Sequence, residues 1–152
     1  MKIFLIGPGW VGKTTCWKIL AKLLNYKFID LDTEFCNNIE NIGNFIKNFW
    51  YKKYCIENSN LFYEIINKNP KDFVFSLSSG FLVHENLEDL TLKHKKTLEN
   101  LWISILLLPS KSLEKSTKIV VNRQLLRGFG LKENKEKEKF IHRFSIYKML
   151  GD

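Results

Sequence analysis

Few residues of the kinds that build cross-linked, metal-held or membrane-spanning proteins occur in this chain of 152 residues. Its three cysteines, Cys16, Cys36 and Cys55, are odd in number and form no CxxC pair. That excludes a disulfide framework and a cysteine-based zinc site. His84, His94 and His142 are scattered without metal-ligand spacing and read as packed or exposed side chains. No apolar run approaches the roughly 20 residues that a membrane helix needs. The apolar opening MKIFLIG is too short for a signal peptide and lacks its small-residue cleavage pattern. These absences point to a cytoplasmic protein with no membrane partner. Acidic residues are in deficit: 16 Asp and Glu stand against 24 Lys and Arg, for a net charge of +8. A basic surplus raises the question of nucleic acid. The lysines are spread along the chain, however, and the richness in Lys, Asn and Ile resembles AT-biased coding, so nucleic acid is not the indicated partner. With 45% hydrophobic and 26% charged residues, the chain is long enough for one globular domain with a sizeable core.

Apolar runs and helical spacings alternate along it, with no internal repeat. Met1 to Ile6 reads as a buried parallel strand ending at glycine. Lys13 to Leu24 has helical spacing, with Ile19, Leu20, Leu23 and Leu24 on one face. Lys27 to Leu31, Asp72 to Leu77 and Ile103 to Leu108 are predicted as further strands. Residues from about Glu34 to Asn69 read as two or three helices, and Asn86 to Leu98, Leu113 to Asn122 and Lys135 to Leu150 as one each. Arg127 to Asn134 is polar and glycine-containing, as in a mobile loop. Strands alternating with helices predict an α/β fold, a parallel sheet covered on both faces. Ligands then bind beyond the carboxyl ends of the strands. Gly7 to Thr14, Asp30 to Asp32 and Ser78 to Gly80 each follow or finish a predicted strand.

Gly7-Pro8-Gly9-Trp10-Val11-Gly12-Lys13-Thr14 satisfies GxxxxGK[ST] between a strand and a helix. Backbone N–H groups from Gly9 to Gly12 would turn inward around phosphate oxygens, and the following helix would point its positive end at them. Lys13 supplies a point charge to the β- and γ-phosphates and Thr14 a hydroxyl to Mg²⁺. Thr15 begins the first helical turn, where it reaches the α-phosphate or packs. The segment reads as the Mg·ATP site of a small P-loop phosphotransferase. Asp30 and Asp32, at the end of the second strand, fall on one side of it by alternation. One carboxylate would hold Mg²⁺, which keeps several of its waters, and the other would orient an acceptor hydroxyl and take its proton. The competing reading is a helix N-cap and a solvated turn.

With these residues in view, the sequence resembles the shikimate kinase family from Lys2 to about Asp152. The resemblance is carried by GPGWVGKTT, FIDLD, FVFSLSSG, NRQLL and HRFSIY. It implies one domain over residues 1–152, with the three-layer P-loop kinase fold and a lid at about 123–135. It implies that Lys13 and Thr14 bind Mg·ATP, that Asp30 helps hold the metal, and that Asp32 binds the shikimate hydroxyls and assists proton removal. Gly80 would lie against shikimate, Arg123 would close over the phosphates, and Arg143 would pair with the shikimate carboxylate. Arg127 is a second lid candidate. The implied activity is transfer of the ATP γ-phosphoryl to shikimate by a monomer. Alternatives are a P-loop kinase for another hydroxylated or nucleotide acceptor, and a degenerate nucleotide-binding module.

Several positions depart from the family pattern. Its Gly-Gly-Gly turn is Ser78-Ser79-Gly80 here, its helix arginine is absent near Tyr54 to Ile56, and its lid proline is Gln124. The chain ends soon after Tyr147, before the fifth strand and closing helix that the family implies. Trp10 and Trp17 stand where the family has glycine, Trp50 falls near another such glycine, and Trp102 precedes a strand at a turn. A bulky residue at position 10 is awkward, because close backbone approach to phosphate and a positive φ favour glycine. All four read as glycine positions, the alternative being genuine tryptophans in a drifted or inactive relative. A source that decodes UGA as glycine would show tryptophan at them when translated by a table that assigns the codon to tryptophan.

Overall fold

The computed structural model describes residues 1–69, 71–84, 86–99, 103–126 and 131–150. Four strands run in parallel: β1 (Lys2–Ile6), β2 (Lys27–Asp30), β3 (Phe73–Ser76) and β4 (Ile103–Leu106), in the spatial order β2-β3-β1-β4. Among the described residues six helices join and cover them: α1 (Lys13–Leu24), α2 (Leu31–Asn38), α3 (Ile42–Lys68), α4 (Glu88–Glu99), α5 (Leu113–Leu125) and α6 (Glu133–Lys148). No helix among the described residues is long and apolar enough to cross a membrane.

Alternation along β1 sends its side chains to two cores. Ile3 and Leu5 pack with Val74 against Trp17 and Ala21 of α1. Phe4 and Ile6 join Ile29, Phe73 and Phe75 on the other face, against Phe35 of α2 and Phe62 of α3. Edge-on aromatic contacts, such as Phe4 with Phe73 at 5.6 Å and 84°, fill this second layer. A third cluster brings Val11 of the phosphate loop together with Val120 of α5 and Phe140 and Phe144 of α6. The α5–α6 pair is thereby seated on the loop that precedes α1.

Several boundaries differ from the sequence expectation by a few residues, and two of the differences bear on the site. β2 ends at Asp30, and Leu31 already begins α2. Asp30 is the N-cap of that helix, its carboxylate accepting the Thr33 N–H at 3.0 Å, so strand alternation does not relate Asp30 to Asp32. The helix α5 continues through Arg123 to Leu125, because nothing in Arg-Gln-Leu-Leu opposes helix formation. Arg123 is therefore helical and not part of a loop, and the expected lid span 123–135 includes the end of α5 and the start of α6. Arg127 and Trp102 lie outside the described residues.

The long helix α3 is interrupted at Trp50, where φ is 69° and ψ 155°. That region is almost reserved for glycine, and occupying it with a side chain costs about 1–3 kcal/mol. The indole is 82% exposed, so burial does not offset the strain. Trp17 sits in the α1 core with its indole N–H buried and without a partner among the described residues. Trp50→Gly is expected to raise the free energy of unfolding by about 1–3 kcal/mol, measured by urea denaturation. Unchanged or lower stability would show that this turn carries no strain.

Candidate active site

The carboxyl ends of β1, β2 and β3 open on one side of the sheet, and each delivers a functional segment there. β1 runs into the loop from Gly7 to Gly12, β2 ends at Asp30, and β3 runs into Leu77 to Gly80. The strand pairing sets Asp30 beside Ser76, which places the second and third segments next to each other. Between them and α1 lies a cleft of about 670 Å³, lined by Gly9 to Cys16, Asp30, Asp32, Ser79 and Arg123, among others.

The loop closes through left-handed residues. Gly12, with φ 98°, is the N-cap of α1 and leaves the helix without a side-chain cap. The first amides of α1 thus remain available to an anion. Gly7 has φ 144°, and a Cβ there would come within 2.7 Å of the Leu107 carbonyl oxygen, so only glycine fits. Trp10 also has a positive φ, 66°. This tryptophan occupies a backbone conformation suited to glycine, at the point where the loop would meet phosphate.

Lys13 is buried, and its ammonium donates to the carbonyl oxygens of Gly7 at 2.8 Å and Pro8 at 2.7 Å. Burial pulls its pKa from 10.5 down to about 8; Asp32 opposes that shift and Arg143 adds to it. Asp32, in the first turn of α2, is displaced upward by burial, against the stabilising hydrogen bond from Ser78 and the charge of Lys13. The Ser78 hydroxyl donates to Asp32 Oδ1 and accepts from Asn58 Nδ2 at 3.0 Å. The Tyr54 phenol stands beside Ser78 and Asp32 and is held protonated by burial.

The Thr14 hydroxyl donates to Asp30 Oδ2 at 3.1 Å, while Asp30 Oδ1 accepts from Thr33 N–H and from the Thr33 hydroxyl at 3.1 Å. Asp30 therefore serves both readings of the sequence: it caps α2 and it faces the threonine of the phosphate loop. Thr14 and Asp30 present the adjacent hard oxygens that suit Mg²⁺. Arg123, in the last turn of α5, donates to the Trp10 carbonyl oxygen at 3.1 Å. Arg143, on α6, donates to the Ser79 hydroxyl at 3.0 Å. A Cβ on Gly80 would lie 3.5 Å from Arg143 Nη2 and 2.8 Å from the Tyr51 hydroxyl.

Beside the large cleft, and sharing Asp32 and Ser79 with it, is a second cavity of about 270 Å³. Its walls include Tyr51, Tyr54 and Asn58 of α3, Gly80, and Arg143 with Lys139 one turn earlier on α6. One carboxylate, Asp32, and two cations, Lys139 and Arg143, line this small space. The structure thus gathers Lys13, Thr14, Thr15, Asp30, Asp32, Gly80, Arg123 and Arg143 around two adjoining cavities. Sequence reasoning did not single out Tyr51, Tyr54 and Asn58. Their spacing puts them on one face of α3, the one signal that could have found them.

The shikimate kinase family model matches residues 10–152. The chain belongs to the shikimate kinase family. It is 32% identical over 89 residues to the pentafunctional AROM polypeptide of Schizosaccharomyces pombe, a match covering 58% of this chain and 6% of that protein. The corresponding polypeptide of Saccharomyces cerevisiae strain S288c is 32% identical over 83 residues, covering 53% of this chain and 5% of its own. This shikimate kinase family chain thus spans a small fraction of the curated relatives it matches. Among solved structures, the shikimate kinase from Bacteroides thetaiotaomicron superposes with a TM-score of 0.75 at 18% identity, covering 99% of this chain and 81% of that one. The shikimate kinase from Acinetobacter baumannii in complex with shikimate gives 0.72 at 19%, covering 99% and 79%. At these identities the likeness is one of fold.

Trp10 carries its positive φ without a nucleotide, so Trp10→Gly is expected to raise the free energy of unfolding by roughly 1–2 kcal/mol, the cost of a left-handed side chain. Urea denaturation reads this directly, and equal stability of the two proteins would show that the loop accepts tryptophan without penalty.

Proposed function

We propose that this chain transfers the γ-phosphoryl group of ATP to a hydroxyl of shikimate, giving shikimate 3-phosphate and ADP, and that it does so as a cytoplasmic monomer. The observation that carries the reading is the continuity of the two cavities through Asp32, beside Lys13. The large cleft suits a nucleotide, and the smaller one, with Asp32, Arg143 and Lys139 on its walls, suits a hydroxylated acid. Family membership makes shikimate the leading acceptor.

The chemistry follows from placement. The phosphates take over the Lys13 ammonium from the Gly7 and Pro8 carbonyl oxygens. Thr14 and Asp30 would hold Mg²⁺, which would supply charge neutralisation at the phosphates. Asp32 accepts the proton of the acceptor hydroxyl as its oxygen forms a bond to the γ-phosphorus and the bond to the β-phosphate oxygen breaks, releasing ADP. Burial raises the basicity of Asp32, which favours that proton transfer. Ser78, Asn58 and Tyr54 keep the carboxylate pointed at the acceptor. Arg123 leaves the Trp10 carbonyl to meet the developing charge. Most of the acceleration comes from positioning and charge stabilisation.

Shikimate is expected to stimulate ADP release from Mg·ATP, and Asp32→Asn to lower the stimulated rate by about 10²–10⁴-fold with little change in ATP affinity. No stimulation in folded protein that binds ATP would reject shikimate. The weight would then move to another hydroxylated acceptor or to a nucleotide-binding role.

A further inference from the structure

His84 lines the acceptor cavity together with Asp32, Gly80 and Arg143. It follows the Ser78–Gly80 turn on the short stretch leading to α4. Only 7% of it is exposed, and neither ring nitrogen has a hydrogen-bond partner among the described residues. Buried polar groups are nearly always satisfied, so this is an exception that calls for a cause. The neighbouring histidine supplies the contrast. His94, whose ring centroid lies 5.9 Å away, is stacked on Phe81 at 3.8 Å. Its two nitrogens pair with the Ser59 hydroxyl at 2.8 Å and the Phe81 carbonyl oxygen at 3.0 Å. His94 is thus tied into the core, while His84, one ring further along, lines the cavity without a hydrogen-bond partner among the described residues.

Burial, with the Arg143 guanidinium opposing a second positive charge, pushes the His84 pKa down to about 4. At neutral pH the ring therefore presents one N–H donor and one acceptor nitrogen. The same guanidinium reaches the Ser79 hydroxyl and lies against Gly80, so an anionic group drawn to Arg143 comes within the space that His84 lines.

We infer that His84 is a further acceptor-binding residue of this enzyme, donating a ring N–H to the carboxylate that Arg143 attracts and so helping select an acidic acceptor. The assignment rests on the shikimate reading of the site. It explains the orphaned donor nitrogen, which finds its partner only when the cavity is filled. It also gives this chain a neutral donor beside its arginine.

Steady-state kinetics of the full chain with shikimate and Mg·ATP test it, alongside ¹⁵N NMR of the imidazoles. His84→Ala is expected to raise the KM for shikimate about 10- to 100-fold, the scale of one hydrogen bond to a charged group. The KM for ATP should stay unchanged, and His84→Gln, which keeps an N–H donor, should recover most of the loss. Shikimate should shift the His84 ring nitrogens in the wild type while leaving those of His94 in place. Wild-type turnover of shikimate with an unaltered KM in His84→Ala, or with silent His84 resonances, overturns the assignment alone. A wild type that binds ATP but does not turn shikimate over overturns the function reading, and this assignment with it.

Discussion

The ammonium of Lys13 is taken out of water and given two carbonyl oxygens of its own loop in return, those of Gly7 and Pro8. Much of the site is organised by this exchange. Burial, with the charge of Arg143 adding to it, lowers the lysine pKa to about 8 despite the opposing carboxylate of Asp32. The unfolded chain keeps this proton up to about pH 10.5 and the folded protein releases it near pH 8. Between those values the unfolded state binds more protons, so the Lys13 contribution to stability becomes more favourable as pH rises. Below pH 8 the buried charge costs the folded protein about 3 kcal/mol. A bound polyphosphate would remove that cost, which would link stability and nucleotide affinity through one side chain.

The rest of the fold serves to keep this lysine, an aspartate and two arginines at fixed separations. The central strand β1 sets the start of the loop, and β3, its neighbour, sets the Ser78–Gly80 turn. Asp32 is aimed by the first turn of α2, a helix fixed in place by the Asp30 cap. Arg123 and Arg143 come from α5 and α6, which are tied to the loop through Val11, Val120, Phe140 and Phe144. A small apolar cluster thus couples the helices bearing the arginines to the turn that would hold the phosphates.

Much of this could be read in the sequence, for physical reasons that differ by element. The bounds of α1 were legible to the residue, because a glycine-rich turn precedes it and Asn25 ends it in a left-handed cap, but its buried face was not: Ile19, Leu23 and Leu24 are exposed, and Trp17 and Ala21 face the core. The phosphate loop was legible because its chemistry needs specific residue types at fixed spacing. Asp30 was ambiguous because one carboxylate does two jobs, capping a helix and facing Thr14, and a period-two pattern cannot describe the residue at which a strand becomes a helix. Trp10 and Trp50 were legible as glycine positions, and both have the positive φ that glycine accepts. Tyr54, Asn58 and His84 were not legible as site residues. Their roles arise from long-range packing of α3 and of the turn after β3, where burial without a partner has no signature in the local sequence.

The most direct test of this account is the titration of the Lys13 side-chain nitrogen by NMR, in the free protein and with Mg·ADP. The account predicts a midpoint of about 8 in the free protein and a rise above about 10 when phosphates replace the loop carbonyls. A free-protein midpoint at the ordinary lysine value of 10.5, or a midpoint indifferent to the nucleotide, would contradict it.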